Sequence, residues 1–313
     1  HPRKRLTHEG IAVMTVHSGS PARTARWLES AAQREVLDGL AELIEEHYVF
    51  SDVGRRCADD LRSSATKEAG VSASQFARQL TTQLRVHDRH FSVTWGEPDR
   101  LRITDREQSE DDAMTFERRE RGGVLTIRRF DDIDDPAAAD LARRSLMAFG
   151  ACDYAVIDIR DNDGGWPSMV EYVLAPFLGA VPVHVVTFKS AGRADHIATT
   201  RPDPTIMSLV ELPVAVLVNG RTASAAESLA YAFQSLSRAM IVGTPTVGAA
   251  NPVELFAHTS GFHIYISTGA PIDPRTATNW DQTGVQADII IEDERNMLDI
   301  ALDIASRTGN RAH

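Results

Sequence analysis

Cysteine is scarce: Cys57 and Cys152 are the only two in 313 residues. Two cysteines make no disulfide framework in a chain of this length. Neither stands in a CxxC or CxH spacing, so no cysteine-ligated metal is indicated. Cys152 opens an apolar stretch and reads as a small buried residue. Long apolar runs are missing too. None approaches the roughly 18 residues that a membrane-spanning helix needs, and Gly10–Val16 is too short for a signal-peptide core. Positive charge is the third shortage: 33 Lys and Arg stand against 44 Asp and Glu, for a net charge of -11. The only basic cluster is Arg3-Lys4-Arg5 at the extreme N-terminus, where a solvated tail is the ordinary reading. Nucleic-acid binding needs a clustered basic face, so no nucleic-acid partner is expected. A cytoplasmic location is the default expectation.

What is present is ordinary globular composition, 42% hydrophobic and 25% charged, long enough for a main core and a smaller domain. Residues 1–25 read as an irregular lead-in. From Trp27 to Tyr48, Leu37, Leu40 and Ile44 recur at helical spacing while Glu35, Glu42, Glu45 and Glu46 fill other faces. Further helices are expected over 53–68 and 73–86, the last opened by Ser72 with Gln75 three residues on, a capping-box pattern. Residues 26–90 are therefore a helical domain. Residues 91–121 are a polar connection, rich in Asp, Glu and Arg from 97 to 120. From 122 to 313 short β-type runs alternate with helical stretches: strands at 124–127, 154–159, 182–188, 214–218, 240–242, 262–266 and 288–291, helices at 137–149, 168–178, 225–236 and 296–305. That alternation indicates an α/β core with a largely parallel sheet.

Two strand–loop–helix units stand out. The strand from Tyr154 runs into Asp161-Asn162-Asp163-Gly164-Gly165, and the strand from Val214 runs into Asn219-Gly220-Arg221-Thr222-Ala223-Ser224. In open α/β sheets ligands sit beyond the carboxyl ends of strands. A serine at the start of a helix lies where free N–H groups and the helix dipole favour negative charge. Ser224 could attack a carbonyl there while the Ala225 N–H receives the oxyanion, and Gly164 or Gly165 could bring in a second N–H, having no Cβ to block the approach. Read locally, Ser224 and Thr222 serve equally as helix N-caps, and the glycine loop as a plain turn.

Several segments in order resemble one family. Arg160-Asp-Asn-Asp-Gly-Gly165 resembles the Arg-Asn-Asn-Gly-Gly loop of the carboxy-terminal processing protease superfamily of serine peptidases. Thr222-Ala-Ser-Ala-Ala-Glu227 resembles its nucleophile motif, and Arg238–Gly248 the strand and loop that follow. Thr278–Asp288, with Asn279-Trp280-Asp281, looks like the Asn-Trp-Glu segment of its tricorn-core and retinoid-binding-protein-like branch, and Asp88-Arg89-His90 like that branch's Asp-Gly-His.

The resemblance implies a ClpP/crotonase-like ββα core after a small helical bundle, with no PDZ domain, since only residues 91–121 separate the two. It implies a serine hydrolase cleaving an acyl, most plausibly peptide, bond. The family's Ser–Lys dyad has no counterpart, because the lysine position is Ala249 and the three lysines, Lys4, Lys67 and Lys189, all precede Ser224. The His-using branch instead implies Ser224 as nucleophile, His90 as base and Asp281, where relatives usually carry Glu, as acid. Gly164, Gly165 and Ala225 would form the oxyanion hole. Glu227 reads as a local structural contact. His258 and His263 are alternative bases, and His87-x-x-His90 is a spacing for two metal ligands without a third. Neither metal nor organic cofactor is expected. The expected partner is a peptide or small acyl substrate, in a chain that could form homo-oligomers. Two other readings use the same scaffold: a binding module for a hydrophobic small molecule, and crotonase-like chemistry on an acyl-thioester. Trp166, Phe177 and Trp280 are candidate pocket aromatics.

Overall fold

A computed structural model describes residues 26–67, 70–96 and 113–309; the lead-in and residues 97–112 lie outside the described residues. The first unit has three helices, α1 (Ser30–His47), α2 (Ser51–Ser63) and α3 (Ala73–Leu84). In α1, Val36, Leu37, Leu40, Ala41 and Ile44 are buried, the stripe that the leucine spacing predicts. The short strands β1 (Trp27–Leu28) and β2 (Val71–Ser72) pair antiparallel, and the Ser72 hydroxyl accepts the Gln75 N–H to start α3. Helix α2 stops at Ser63, short of the expected residue 68, where its last turn meets Ser64 in an extended conformation.

The core follows with β3 (Ser92–Trp95), β4 (Met114–Arg119), β5 (Gly122–Ile127), α4 (Pro136–Met147), β6 (Tyr154–Asp158), α5 (Pro167–Leu178), β7 (His184–Ser190), β8 (His196–Thr199), β9 (Val214–Val218), α6 (Ala225–Ser235), β10 (Met240–Gly243), β11 (Val253–Ala257), β12 (Phe262–Ser267), β13 (Gly269–Ile272), β14 (Ile289–Ile290) and α7 (Met297–Gly309). Six strands form the main sheet in the order β14-β10-β9-β6-β5-β4. All neighbours are parallel except β4, an antiparallel edge. Every residue of β9 is buried, as a parallel strand covered on both faces requires. Alternate residues divide between the faces. Leu125, Ile157, Val216 and Val218 pack with α4, α5 and α6, whereas Val124, Val156, Ala215 and Leu217 pack with α7.

The expected polar connection contributes strands at both ends. Phe116 of β4 packs edge-on against Phe149, and β3 pairs with β12, which in turn pairs with β11. Phe262, Ile264 and Ile266 of β12 share one apolar cluster with the three helices, so a hairpin from late in the chain completes the core of the early helical unit. Strands β8, β11 and β13 extend what the sequence pattern marks. Among the described residues no helix is long and apolar enough to cross a membrane.

Candidate active site

Strands β6 and β9 are parallel neighbours, so the two loops beyond their carboxyl ends lie side by side. They are laced together. Thr222 Oγ1 donates to Ile159 O at 2.9 Å, Ala223 N–H to Asn162 O at 2.9 Å, and Asp161 N–H to Asn219 Oδ1 at 3.1 Å. Each loop holds one non-glycine residue at positive φ, Asp161 at 62° and Ser224 at 54°, a conformation costing about 1–3 kcal/mol that persists only where neighbours enforce it. Ser224 follows this turn directly, with ψ at -121°. It is buried, and among the described residues its Oγ has no hydrogen-bond partner. Its N–H donates to Glu227 Oε2 at 2.9 Å.

The glycine loop closes over this serine. A Cβ on Gly164, at φ +115°, would lie 2.7 Å from Ser224 Cβ and 3.1 Å from both Ser224 Oγ and the Ala225 nitrogen. A Cβ on Gly165, at φ +130°, would lie 2.1 Å from Phe130 O. Both positions thus require glycine for space and for conformation. Their N–H groups differ. Gly164 donates to Asn162 Oδ1 at 2.8 Å, while Asn162 Nδ2 donates to Ile127 O at 3.0 Å. The N–H groups of Gly165 and Ala225 donate to nothing among the described residues. Of the donors expected of the oxyanion hole, the Gly164 N–H is thus already engaged, and those of Gly165 and Ala225 are free among the described residues.

His90, the candidate base, sits where the helical unit meets the core. His90 Nδ1 bonds Asp88 Oδ1 at 2.7 Å, and the same oxygen accepts the His90 backbone N–H at 2.8 Å. Asp88 is buried, and its Oδ2 accepts Tyr48 OH at 3.0 Å and Ser267 Oγ at 2.7 Å. Gln282 Nε2 adds a longer contact to Oδ1 at 3.4 Å. Burial alone would lower the His90 pKa, but the hydrogen bond and charge of Asp88, with the charge of Asp281, outweigh it and raise it above the usual histidine value. Burial alone would raise Asp88, yet the contacts with His90 and Ser267 bring its carboxyl below the usual range.

Asp281 lies beside His90 but on the other side of the ring. Its Oδ1 is 3.7 Å from Nε2, beyond hydrogen-bond length. That oxygen instead accepts the N–H groups of Ala250 at 3.2 Å and Asn251 at 3.1 Å. Burial, chiefly, raises its carboxyl pKa. Of the two carboxylates beside the ring, Asp88 is the one within hydrogen-bond reach, while Asp281, the acid of the sequence expectation, stands on the Nε2 side. Ser224 Oγ and His90 are not hydrogen-bonded to each other; one loop, residues 246–251, bonds to the carboxylates that flank both, Glu227 and Asp281.

Two carboxylates hold that loop, the buried Glu227 and the half-buried Asp281. Glu227 Oε1 accepts Thr246 Oγ1 at 2.5 Å and Gly248 N–H at 2.6 Å, and Oε2 accepts Ala249 N–H at 2.8 Å beside the Ser224 N–H. Four consecutive N–H groups, Gly248 to Asn251, are therefore divided between Glu227 behind the serine and Asp281 beside the histidine. Arg89 clamps the loop from outside, donating to Val247 O at 3.1 Å and Gly248 O at 2.7 Å. Burial pushes the Glu227 carboxyl up despite its four donors.

The other candidates lie apart. His87 Nε2 bonds Asp60 at 2.6 Å. The His258 ring fills the space over Gly39, where a Cβ would lie 2.1 Å from its Nε2, and its Nδ1 bonds Ser260. His263 lies in β12 opposite Thr94. Phe177 is core, packed on Phe149 and Phe233. Trp280 is buried against Tyr231, and Trp166 precedes α5. Burial pushes the Cys57 thiol up to about 11, removing it as a nucleophile. Ligand-type atoms of Asp88, His90 and Asp281 lie within 4.8 Å of one another. Asp88 already accepts five hydrogen bonds, with which an ion there would compete. A cavity of about 360 Å³ lined by Ala175, Pro176, Pro202 and Ile206 lies at the far end of α5 and includes none of these residues.

The family described as Peptidase family S41 matches residues 121–291. Carboxyl-terminal-processing peptidase 2, chloroplastic, of Arabidopsis thaliana is 35% identical over 134 residues, covering 42% of this chain and 25% of the relative. The chain thus spans about a quarter of the length of that curated relative. The fold matches the structure of the photosystem II D1 C-terminal processing protease, with a TM-score of 0.58 at 15% identity over 89% of this chain and 97% of that one. It also matches a lipoprotein from Streptococcus agalactiae, with a TM-score of 0.56 at 15% identity over 94% of this chain and 100% of that one.

Proposed function

The chain belongs to peptidase family S41, and from that premise we propose that it is a serine peptidase whose nucleophile is Ser224, whose base is His90 and whose orienting acid is Asp88. The observation that carries the reading is Ser224 itself, with a buried, unpartnered Oγ at the N-terminus of α6, held at positive φ against Gly164. In the proposed reaction Oγ attacks the carbonyl carbon of a peptide bond, and Nε2 of His90 takes its proton. The tetrahedral oxyanion is received by the N–H groups of Gly165 and Ala225. Nε2 then returns the proton to the leaving amine, and water hydrolyses the acyl-enzyme by the same route. Asp88 keeps the proton on Nδ1 and stabilises the imidazolium. The reaction requires Oγ and Nε2 to come within hydrogen-bond reach, and catalytic hydrogen bonds tighten on substrate binding.

No lysine follows Ser224, and Ala249 gives its N–H to Glu227, so a histidine base is the route that this chain's residues support. His90 and the Asn279-Trp280-Asp281 segment favour the tricorn-core and retinoid-binding-protein-like branch. Intact-mass spectrometry after exposure to a fluorophosphonate tests the reading. One adduct is expected on the wild type, none on Ser224→Ala, and slower labelling on His90→Ala. A folded wild type that takes no adduct would refute it.

A further inference from the structure

Which way two glycine peptides are turned decides what the loop after β6 can offer an oxyanion. Phe130 and Gly165 form a parallel bridge, in which Phe130 N–H donates to Gly164 O at 2.9 Å and Trp166 N–H donates to Phe130 O at 2.8 Å. The N–H and C=O of Gly165 itself therefore face away from Phe130. A planar trans peptide sends its C=O and its N–H in opposite directions. With Gly164 O fixed on Phe130, the Gly165 N–H is turned outward, and it donates to nothing among the described residues. This peptide borders the nucleophile, since a Cβ on Gly164 would lie 3.1 Å from both Ser224 Oγ and the Ala225 nitrogen.

Two successive glycines at φ +115° and +130° have little intrinsic preference for one backbone conformation over another. Phe130 fixes the second of their peptides. The first is fixed by Asn162, whose Oδ1 accepts the Gly164 N–H at 2.8 Å. An aspartate or asparagine in an ordinary turn makes that bond alone. Asn162 makes two more. It is fully buried, and its Nδ2 donates to Ile127 O at the end of β5 at 3.0 Å. Its own carbonyl accepts the Ala223 N–H at 2.9 Å, one residue before Ser224. One residue thus ties the sheet, the glycine loop and the nucleophile turn together. We propose that Asn162 is the positioning residue of the oxyanion hole: its side chain holds the glycine loop with the Gly165 N–H turned out, and its carbonyl sets the Ser224 turn against that loop. Asn162 touches no reacting atom and acts through Gly165 and Ala225. This rests on the serine-peptidase reading and adds that the hole is built before substrate arrives, so that no reorganisation is needed at the moment of reaction.

Two substitutions separate positioning from stability. Asn162→Ala removes both side-chain bonds. Asn162→Asp keeps an oxygen for the Gly164 N–H but sets a carboxyl group against Ile127 O. Both should melt below the wild type, since each leaves a buried polar group poorly satisfied. Their labelling by a fluorophosphonate should differ, because the phosphoryl oxygen uses the same hole. Asn162→Ala should label about 100- to 1,000-fold more slowly than the wild type, the loss of one oxyanion donor. Asn162→Asp should recover about tenfold or more of that loss, the return of one hydrogen bond to a charged group. A residue that served stability alone would slow labelling in step with the melts. The unaltered protein supplies a second measurement. With its glycine amides labelled with nitrogen-15, hydrogen exchange should be slow at Gly164 and fast at Gly165, and Gly165 should slow once Ser224 carries the phosphonyl group. Labelling of Asn162→Ala at the wild-type rate, Asn162→Asp no faster than Asn162→Ala, a Gly164 amide that exchanges as fast as that of Gly165, or a Gly165 amide unmoved by the adduct would each overturn the proposal. If neither variant folds, the exchange pattern decides alone. A wild type that takes no adduct strikes the peptidase reading itself, and the proposal with it, whereas a labelled wild type with any of the four results strikes the proposal only.

Discussion

Asp88 and Asp281 flank the same imidazole, and replacing each with asparagine separates their roles. Asp88 meets Nδ1 at 2.7 Å, whereas Asp281 stands 3.7 Å from Nε2. Asparagine is nearly isosteric, and the Tyr48 and Ser267 hydroxyls can turn to accept from its NH2 group, so Asp88→Asn should fold. It loses a charge-assisted bond to the imidazolium, worth about 1.5–3 kcal/mol. At about 1.4 kcal/mol per tenfold, kcat/KM should fall roughly 10- to 150-fold. The hydrogen bond and charge of Asp88 raise the His90 pKa against burial, so the acid limb of the pH–rate profile should move to lower pH in Asp88→Asn. In Asp281→Asn the amide oxygen can still accept from Ala250 and Asn251 and no Nδ1 bond is lost, so kcat/KM should stay within about tenfold, less than one charge-assisted bond. Stability follows the same pair. The raised His90 pKa contributes stability that is complete below its unfolded value near 6.5 and is lost as pH rises through the folded value. The lowered Asp88 pKa contributes stability that is complete above the unfolded value near 4 and is lost as pH falls through the folded value. The stability advantage of the wild type over Asp88→Asn should therefore peak between about pH 4 and pH 6.5. Kinetics of a cleaved peptide at several pH values, with denaturant melts alongside, decide the matter. An Asp281→Asn loss equal to or larger than that of Asp88→Asn, with the acid limb unmoved in Asp88→Asn, would refute the assignment.

Two further outcomes follow from the packing around Ser224. Gly164→Ala should abolish fluorophosphonate labelling in a protein that still folds, because the new Cβ would fall 2.7 Å from Ser224 Cβ in a backbone conformation that alanine avoids; labelling at the wild-type rate would show that the glycine loop does not close on the serine. Glu227→Gln turns an NH2 group toward two of the four donors now satisfied, at about 1–3 kcal/mol each, so thermal melts should show a loss of roughly 2–6 kcal/mol. An unchanged melting temperature there would mean that loop 246–251 is held by something other than this carboxylate.

Asp88 was within reach of the sequence. An aspartate two residues before a histidine can accept that residue's backbone N–H locally, and Asp88 does so at 2.8 Å. Asp281, the acid that the family likeness implies, comes to lie next to His90 and also accepts the N–H groups of Ala250 and Asn251, contacts that no local signal announces. Glu227 was legible as a structural contact because it lies one turn from Ser224, but its hold on Gly248 and Ala249 was not, since those partners lie some twenty residues on.

The sequence by itself determined the parts whose signals are local. Apolar stripes three and four residues apart set α1 and α3, unbroken apolar runs set β6 and β9, and the loops after those strands carried Gly164, Gly165 and Ser224. Only the tertiary structure decided what met across distance: β3 against β12 some 170 residues away, Ser267 on Asp88, and Asp281 on the Nε2 side of His90. The physical reason lies in the range of each cause. Helical and strand periodicity is written in neighbouring residues, whereas which oxygen satisfies which buried N–H depends on where separate segments come to rest once the apolar core has formed.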